Sequence, residues 1–182
     1  MPSVQTMVSR KSSITNAFVS AIIPTINPSA EEIQQALTIL GMEPTDLRCA
    51  YCGDRATEWD HLRPLVDKRR PTGFISEIAN LVPSCGKCNQ SKGNKAWRVW
   101  MLSKAKLSPT GRGIPLIPDR IERLEAYEQW RCPVRVAFET VLNAEEWEAY
   151  WKTCEEVISQ LRTCQEVADA IRARIIQRIR QT

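Results

Sequence analysis

The stretches CAYCGDRATEWDHLRP, residues 49–64, and NLVPSCGKCNQSKG, residues 80–93, decide the fold of this chain. Each contains a Cys-x-x-Cys pair, and 32 residues separate the two pairs. Four thiolates hold Zn²⁺ tetrahedrally, and a set of four protein ligands leaves no position for a reacting water. The spacing therefore predicts a structural zinc site, whose ligands are Cys49, Cys52, Cys85 and Cys88.

Two other interpretations of these cysteines are weaker. A redox pair has the same Cys-x-x-Cys spacing, but it is typical of a thioredoxin-like βαβ pattern, and none is visible here. Free reduced thiols would leave two matching spacings unexplained. The chain has seven cysteines, an odd number that does not favour a disulfide framework. The remaining three are predicted to be small core residues in helices: Cys132, Cys154 and Cys164.

Charge is concentrated in the middle of the sequence. The whole chain carries a net charge of +4, whereas residues 48–112 carry 13 Lys and Arg against 5 Asp and Glu. This charge distribution is typical of a protein that binds a polyanion, or of one with a solvated basic surface. No apolar run is long enough for a membrane span, and Arg10 and Lys11 precede no signal-peptide pattern. These observations predict a soluble, cytoplasmic protein without membrane partners.

Capping and loop signals divide the chain into four predicted segments. Residues 1–47 should form a helical segment with a capping box at Ser29, and residues 48–105 a zinc-stapled module. Residues 106–118 are rich in proline and glycine, which is typical of a linker. Residues 119–182 should be helical, with a second capping box at Asn143. The apolar residues after Asn143 recur with a helical period over an unusually long stretch. This pattern indicates a helix that breaks near Thr163, or that packs on the N-terminal helices or on a second subunit.

The arrangement of the central motifs resembles the HNH endonuclease family. The resemblance rests on Cys-x-x-Cys, then Asp-His-Leu-Arg-Pro, then the stretch from Asn80 to Gly93, and it covers roughly residues 49–95. It implies an α+β, mostly helical fold. A ββα-metal module with a four-cysteine zinc site would be flanked by N- and C-terminal helices. The two strands are expected at Arg55–His61 and around Asn80–Val82. The helix is expected to begin near Gly86, to carry Asn89, Lys92 and Lys95, and to continue with Trp97, Trp100 and Met101 as core residues.

The resemblance also implies a role for each polar residue. His61, the one histidine of the chain, would be the general base for water. Asp60 and Asn89 would hold a catalytic Mg²⁺ or Mn²⁺ that stabilises the departing 3′-oxygen. Asn80 would tie down the loop and orient His61. The last position is often a second histidine in the family, so Asn89 makes this an H-N-N variant.

These features predict a metal-dependent endonuclease that cuts double-stranded DNA, in the manner of a type II restriction enzyme. The predicted DNA contacts are Lys68, Arg69, Arg70, Lys92 and Lys95. One such module cuts one strand, so the long C-terminal helix is a candidate homodimer interface. The alternatives are a noncatalytic zinc module that binds nucleic acid, and a nicking or structure-selective nuclease.

Overall fold

The computed structural model describes residues 6–7 and 11–181, apart from the side chains of residues 11 and 12. Its α-helices are α1 (Lys11–Ile22), α2 (Ala30–Ile39), α3 (Gly86–Lys92), α4 (Trp97–Met101), α5 (Ile117–Trp130), α6 (Phe138–Val141) and α7 (Ala144–Arg180). Its strands are β1 (Glu58–His61), β2 (Val66–Asp67), β3 (Arg70–Pro71) and β4 (Leu81–Ser84), and a 3₁₀ turn covers Ile78–Asn80. The predicted fold class, α+β and mostly helical, is confirmed. None of the described helices is long and apolar enough to cross a membrane.

The chain divides into two compact units. One comprises Ile22–Val136, and the other combines the described residues of the first 21 with those from Ala137 onward. The proline- and glycine-rich stretch at 106–118 falls inside the first of these units and has no helix or strand before Ile117. The four predicted segments remain a prediction.

Two antiparallel strands and a helix form the centre of the larger unit. Strand β1 pairs with β4 so that His61 lies opposite Leu81 and Asp60 opposite Val82. Helix α3 begins two residues after β4 and ends at Lys92. Gly93 follows it with a φ of +50°, a conformation that glycine adopts readily. This is the predicted ββα arrangement, although β1 is three residues shorter than expected.

The helix after β4 is also shorter than predicted. Asn89 and Lys92 lie on α3, but Lys95 lies beyond it, and Trp97, Trp100 and Met101 form the separate helix α4. The break at Gly93 explains the difference, because a continuous α-helix cannot include that backbone conformation. The three apolar side chains are buried, as expected of core residues.

One hydrophobic core brings together the four paired cysteines, strand β4 and four helices, α2, α3, α4 and α5. Tyr51 and Trp100 meet edge to face with ring centroids 5.2 Å apart. The Tyr127 hydroxyl of α5 donates to the Leu81 carbonyl at 2.8 Å, which ties the helix to β4. The cluster also contains Ala36, Leu40, Leu62, Ile78, Val82, Trp97, Met101, Ile121 and Leu124. Helices α2 and α5 therefore support the ββα element from outside the matched motifs.

Both predicted capping boxes are present, at Ser29 before α2 and at Asn143 before α7. Helix α7 continues unbroken through Thr163 to Arg180. In its own unit it contacts the N-terminal residues, since the Tyr150 hydroxyl donates to the Phe18 carbonyl at 2.7 Å.

The cysteines outside the zinc pairs are not all core residues. Cys154 is buried, as predicted, but Cys132 and Cys164 are exposed. The prediction was wrong for these two. Cys132 lies beyond the end of α5, and Cys164 lies on a face of α7 that the described residues of its own unit do not cover, which helical periodicity alone does not show.

Candidate active site and metal centre

The four paired cysteines converge on one buried point. Their sulfur atoms all lie within 4.8 Å of one another, and the Sγ atoms of Cys52 and Cys85 are 3.6 Å apart. Tetrahedral Zn²⁺ with Zn–S bonds of ~2.3 Å places its sulfurs about 3.8 Å apart, so the cluster fits that ion. Among the described residues, no other group of three or more His, Cys, Asp or Glu side chains is close enough to hold a metal.

A tight turn in each Cys-x-x-Cys pair places its two sulfur atoms at the cluster. The Gly53 amide donates to the Cys49 carbonyl at 2.8 Å, with Gly53 at φ +81°. The Cys88 amide donates to the Cys85 carbonyl at 3.0 Å, at the start of α3. The Cys49 amide is fixed in turn by the Asp54 carbonyl at 2.7 Å. Each Cys-x-x-Cys pair is thus a closed turn held by its own backbone.

The thiol protonation states suit a metal site. Hydrogen bonding with Cys49 raises the pKa of Cys52 to about 12, and hydrogen bonds from Cys52 and Cys88 lower the pKa of Cys49. Four crowded, buried sulfurs cannot all ionise without a compensating positive charge. A dication supplies that charge and displaces the remaining protons, so zinc binding and deprotonation are coupled here.

Sequence reasoning missed a basic residue at the cysteine cluster. The Arg112 guanidinium donates to Cys88 Sγ at 3.4 Å and to the Asp54 carboxylate at 3.1 Å. Groups that hydrogen-bond to metal ligands fix their orientation and tune the site. Arg112 comes from the stretch interpreted as a linker, and no local motif marks it.

His61 lies at the end of β1 and is partly buried. Burial, together with the positive charge of Lys92, lowers the pKa of His61 to about 4, so the imidazole is uncharged at neutral pH. Its Nε2 is 3.1 Å from the Ser76 hydroxyl. Ser76 is itself held by residues 24–26, because its amide donates to Pro24 and its carbonyl accepts from Ile26. An uncharged, fixed imidazole is able to accept a proton.

Asp60 is directed into the protein. It is 5% exposed, and its carboxylate accepts from the Tyr51 hydroxyl at 2.6 Å and from Lys92 Nζ at 3.1 Å. Burial raises the pKa of the Asp60 carboxyl, while Lys92 and Tyr51 oppose that rise. Lys92 also donates to the His61 carbonyl at 2.7 Å. The buried pair therefore ties α3 to the strand that carries His61.

Lys92 does not lie on the surface predicted for it. Its side chain is fully buried, so it is removed from the candidate phosphate contacts. The reason is geometric, because the helix face that carries Lys92 packs on β1 rather than facing solvent. Lys95 is exposed, and its ammonium donates to the Ser91 carbonyl at 2.8 Å.

Asn80 is fully buried and bonded through both atoms of its amide. Its Oδ1 accepts from the Arg63 amide at 2.8 Å, and its Nδ2 donates to the Arg63 carbonyl at 3.0 Å and to the Ile75 carbonyl at 3.3 Å. These bonds hold the chain two residues after His61 and one residue before Ser76. The amide thus fixes the backbone on both sides of the His61–Ser76 contact.

The two residues expected to hold a catalytic ion differ in their surroundings. Asn89, in the first turns of α3, is partly exposed and donates through Nδ2 to the Glu58 carboxylate. Asp60 is enclosed, and an ion would have to compete with Lys92 for its carboxylate. Glu58 was missed, although a strand period of two places it on the same face of β1 as Asp60. Oxygen donors for a hard cation are present, but they do not form an open site around Asp60.

The basic loop between the strands is exposed. Lys68, Arg69 and Arg70 are all solvent-accessible, and the first two lie at the tip of the β2–β3 hairpin with φ values of +45° and +67°. A two-residue hairpin turn with both φ values positive matches the twist of its strands, but it is uncommon for residues with side chains. The turn therefore presents two cations on a short, defined hairpin.

A buried four-cysteine cluster beside a ββα element, with a histidine at the end of the first strand, is the arrangement that the resemblance to the HNH family implied. Residues 49–95 match the family model of the HNH endonuclease, so the chain contains an HNH domain there.

A curated relative supports this assignment. The chain is similar to the CRISPR-associated endonuclease Cas9 of Corynebacterium diphtheriae, with 33% identity over 86 residues. That match takes in 38% of this chain and 8% of the relative, so the chain spans a small part of that protein's length. No solved structure matches the chain significantly.

Proposed function

We propose that this protein is a metal-dependent endonuclease that hydrolyses phosphodiester bonds in double-stranded DNA. The observation that supports it best is the placement of His61 within an HNH domain. Its Nε2 lies 3.1 Å from the Ser76 hydroxyl, and Asn80 holds the backbone on both sides of that contact. Burial and the charge of Lys92 lower the pKa of the imidazole to about 4.

In this proposal His61 removes a proton from the attacking water. Histidine suits that task when it is neutral before the reaction and is positioned within hydrogen-bond reach of the water. Asn80 and Ser76 are positioning residues, since they touch the histidine and its loop rather than the reacting atoms. Lys92 holds the His61 carbonyl, and its charge adds to the effect of burial in lowering the pKa of the imidazole.

The leaving oxygen needs a separate source of stabilisation. A bound Mg²⁺ or Mn²⁺ supplies Lewis-acid stabilisation to a departing 3′-oxygen. Asn89 and Asp60 would hold it as the resemblance implies, with Glu58 as a neighbouring carboxylate. Because Lys92 already neutralises Asp60, ion binding requires that this pair loosen.

DNA contacts would come from the exposed cations. The Lys68–Arg70 hairpin and Lys95 are placed to meet phosphates, which position a duplex without reading its sequence. Two catalytic modules are needed for a double-strand break, so we extend the proposal to a homodimer of restriction type. A nicking nuclease would need only the monomer.

The test is cleavage of a long mixed-sequence duplex by zinc-loaded protein with Mg²⁺ or Mn²⁺. The proposal expects cutting that stops with EDTA and is absent from purified His61→Ala protein. Discrete bands would support the restriction-type enzyme, and a smear would indicate a nonspecific nuclease. A supercoiled plasmid that stops at the nicked form would refute the double-strand cutter and leave the nicking enzyme.

One observation favours a second candidate, a noncatalytic zinc module that binds nucleic acid. The Asp60 carboxylate, on which the catalytic ion would depend, is buried and already paired with Lys92. This alternative predicts DNA binding without cleavage under any divalent ion, with binding lost when the Lys68–Arg70 cations are replaced by glutamine.

A further inference from the structure

Helix α7 carries an apolar stripe that the described residues of its own unit leave fully or partly exposed. Alternating steps of four and three residues join its members, which is the spacing of a coiled-coil seam. Val157, Ile171 and Ile175 are 42%, 52% and 54% exposed. The complete stripe is Val157, Leu161, Cys164, Ala168, Ile171 and Ile175. Contiguous exposed apolar surface of this kind marks an interaction site.

Charge along the same helix is divided between its halves. Residues 144–161 contain five glutamates and one lysine, whereas residues 162–180 contain five arginines and two acidic residues. Two such helices side by side in parallel would bring like charges together over their whole length. In antiparallel orientation about residue 166, residues 152–180 of the two helices overlap, and Glu155 and Glu156 of each helix lie beside the arginine-rich half of the other.

We infer that two copies of this protein associate through α7 as an antiparallel helix pair. The stripe is centred near Glu166, and antiparallel pairing about that centre places Val157 opposite Ile175 of the second copy. Leu161 then faces Ile171, and Cys164 faces Ala168. The surfaces are self-complementary, as a two-fold dimer requires.

The same register gives the charged residues opposite partners. Glu156 of one copy lies level with residue 176 of the other, so Arg174 and Arg178 lie two residues to either side, about 3 Å along the helix axis. All three residues are exposed in the single chain. A parallel pair would instead set Arg174 against Arg174.

This inference takes up the dimer of the proposed function, but its test does not use cleavage. In the full zinc-loaded chain with Cys132→Ser and Cys164→Ser, Val157→Cys and Ile175→Cys variants are prepared separately and then mixed. Under mild oxidation by glutathione disulfide, the antiparallel register predicts a covalent dimer from the mixture and none from either variant alone. Self-crosslinking of either variant would overturn the antiparallel arrangement.

A second measurement tests whether the helix pair is needed for dimerisation at all. In sedimentation, Ile175→Asp should weaken dimerisation at least tenfold, whereas Gln177→Asp, an exposed residue on the opposite side of the helix, should leave it unchanged. A wild-type monomer at working concentration would refute the inference, even if it bound duplex DNA through the α7 arginines. His61→Ala should dimerise like the wild type, so failure of the nuclease proposal leaves this result unaffected.

Discussion

The environment of His61 removes its charge and fixes its ring. Burial and the nearby Lys92 ammonium both disfavour the imidazolium, and the Ser76 hydroxyl meets Nε2. The loss of charge and the fixed ring have different sources. The charge is disfavoured because α3, which carries Lys92, packs on β1. The ring is fixed by Ser76, which lies in a loop that residues 24–26 hold in place. Three distant parts of the sequence therefore form the surroundings of the proposed base.

The pKa of His61 should be about 4 in the zinc-loaded protein before any divalent ion is added. Because the chain has one histidine, NMR of ¹³C-labelled imidazole reports this residue alone. Titration near the ordinary value of about 6.5 would contradict the described burial.

The same shift affects stability in a defined pH window. The unfolded chain binds the proton at about 6.5 and the folded chain only at about 4. Folding stability from this group should therefore rise with pH between those values and be complete above about 6.5. In His61→Gln, the part of the pH dependence that the imidazole contributes should disappear from urea unfolding curves.

The buried ion pair of Asp60 and Lys92 is predicted to contribute to the stability of the fold. Removing one partner leaves a buried charge without compensation, which costs about 3–5 kcal/mol. Asp60→Asn and Lys92→Met should each lower the free energy of unfolding on that scale, measured in urea at fixed zinc. The double variant should lose less than the sum of the two single losses. Additive losses would show that the two groups do not interact.

At the scale of elements, the sequence could predict what local chemistry determines. Two Cys-x-x-Cys pairs predicted the cysteine cluster, and Ser29 and Asn143 correctly marked the starts of α2 and α7. These features depend on residues that are close together in the sequence, so they can be predicted without knowledge of the tertiary structure.

Contacts between distant elements could not be predicted in the same way. Lys92 looked like a surface cation because its burial depends on how α3 packs against β1. Arg112 and Ser76 reach the site from loops whose paths are set by long-range packing. Glu58 was the exception, since strand alternation from Asp60 would have revealed it.

The zinc cluster should be required for the ββα element. Cys85→Ser removes one of four ligands, so purified protein should contain less than one zinc per chain and should melt at a lower temperature. The matched control is Cys132→Ser, which changes an exposed cysteine away from the cluster and should behave like the wild type. Zinc-free wild-type protein of unchanged stability would contradict a structural zinc site.

At the scale of the whole molecule, the proposed active site and the proposed association surface belong to different compact units. The HNH domain and the helices that support it lie in the unit Ile22–Val136, whereas α7 belongs to the other unit. Changes on the open face of α7 should therefore alter oligomeric state and the ratio of linear to nicked product. Changes at His61 should alter the rate of cutting on each strand.

The most direct measurement of the central claim is the single-turnover rate of duplex cleavage for wild type and His61→Ala at matched zinc content, with Mn²⁺ or Mg²⁺ in excess. If His61 is the general base, the variant should cut about 10²–10⁴-fold more slowly while it keeps its zinc and its affinity for DNA. Equal rates for the two proteins would contradict the assignment of His61 as the catalytic base.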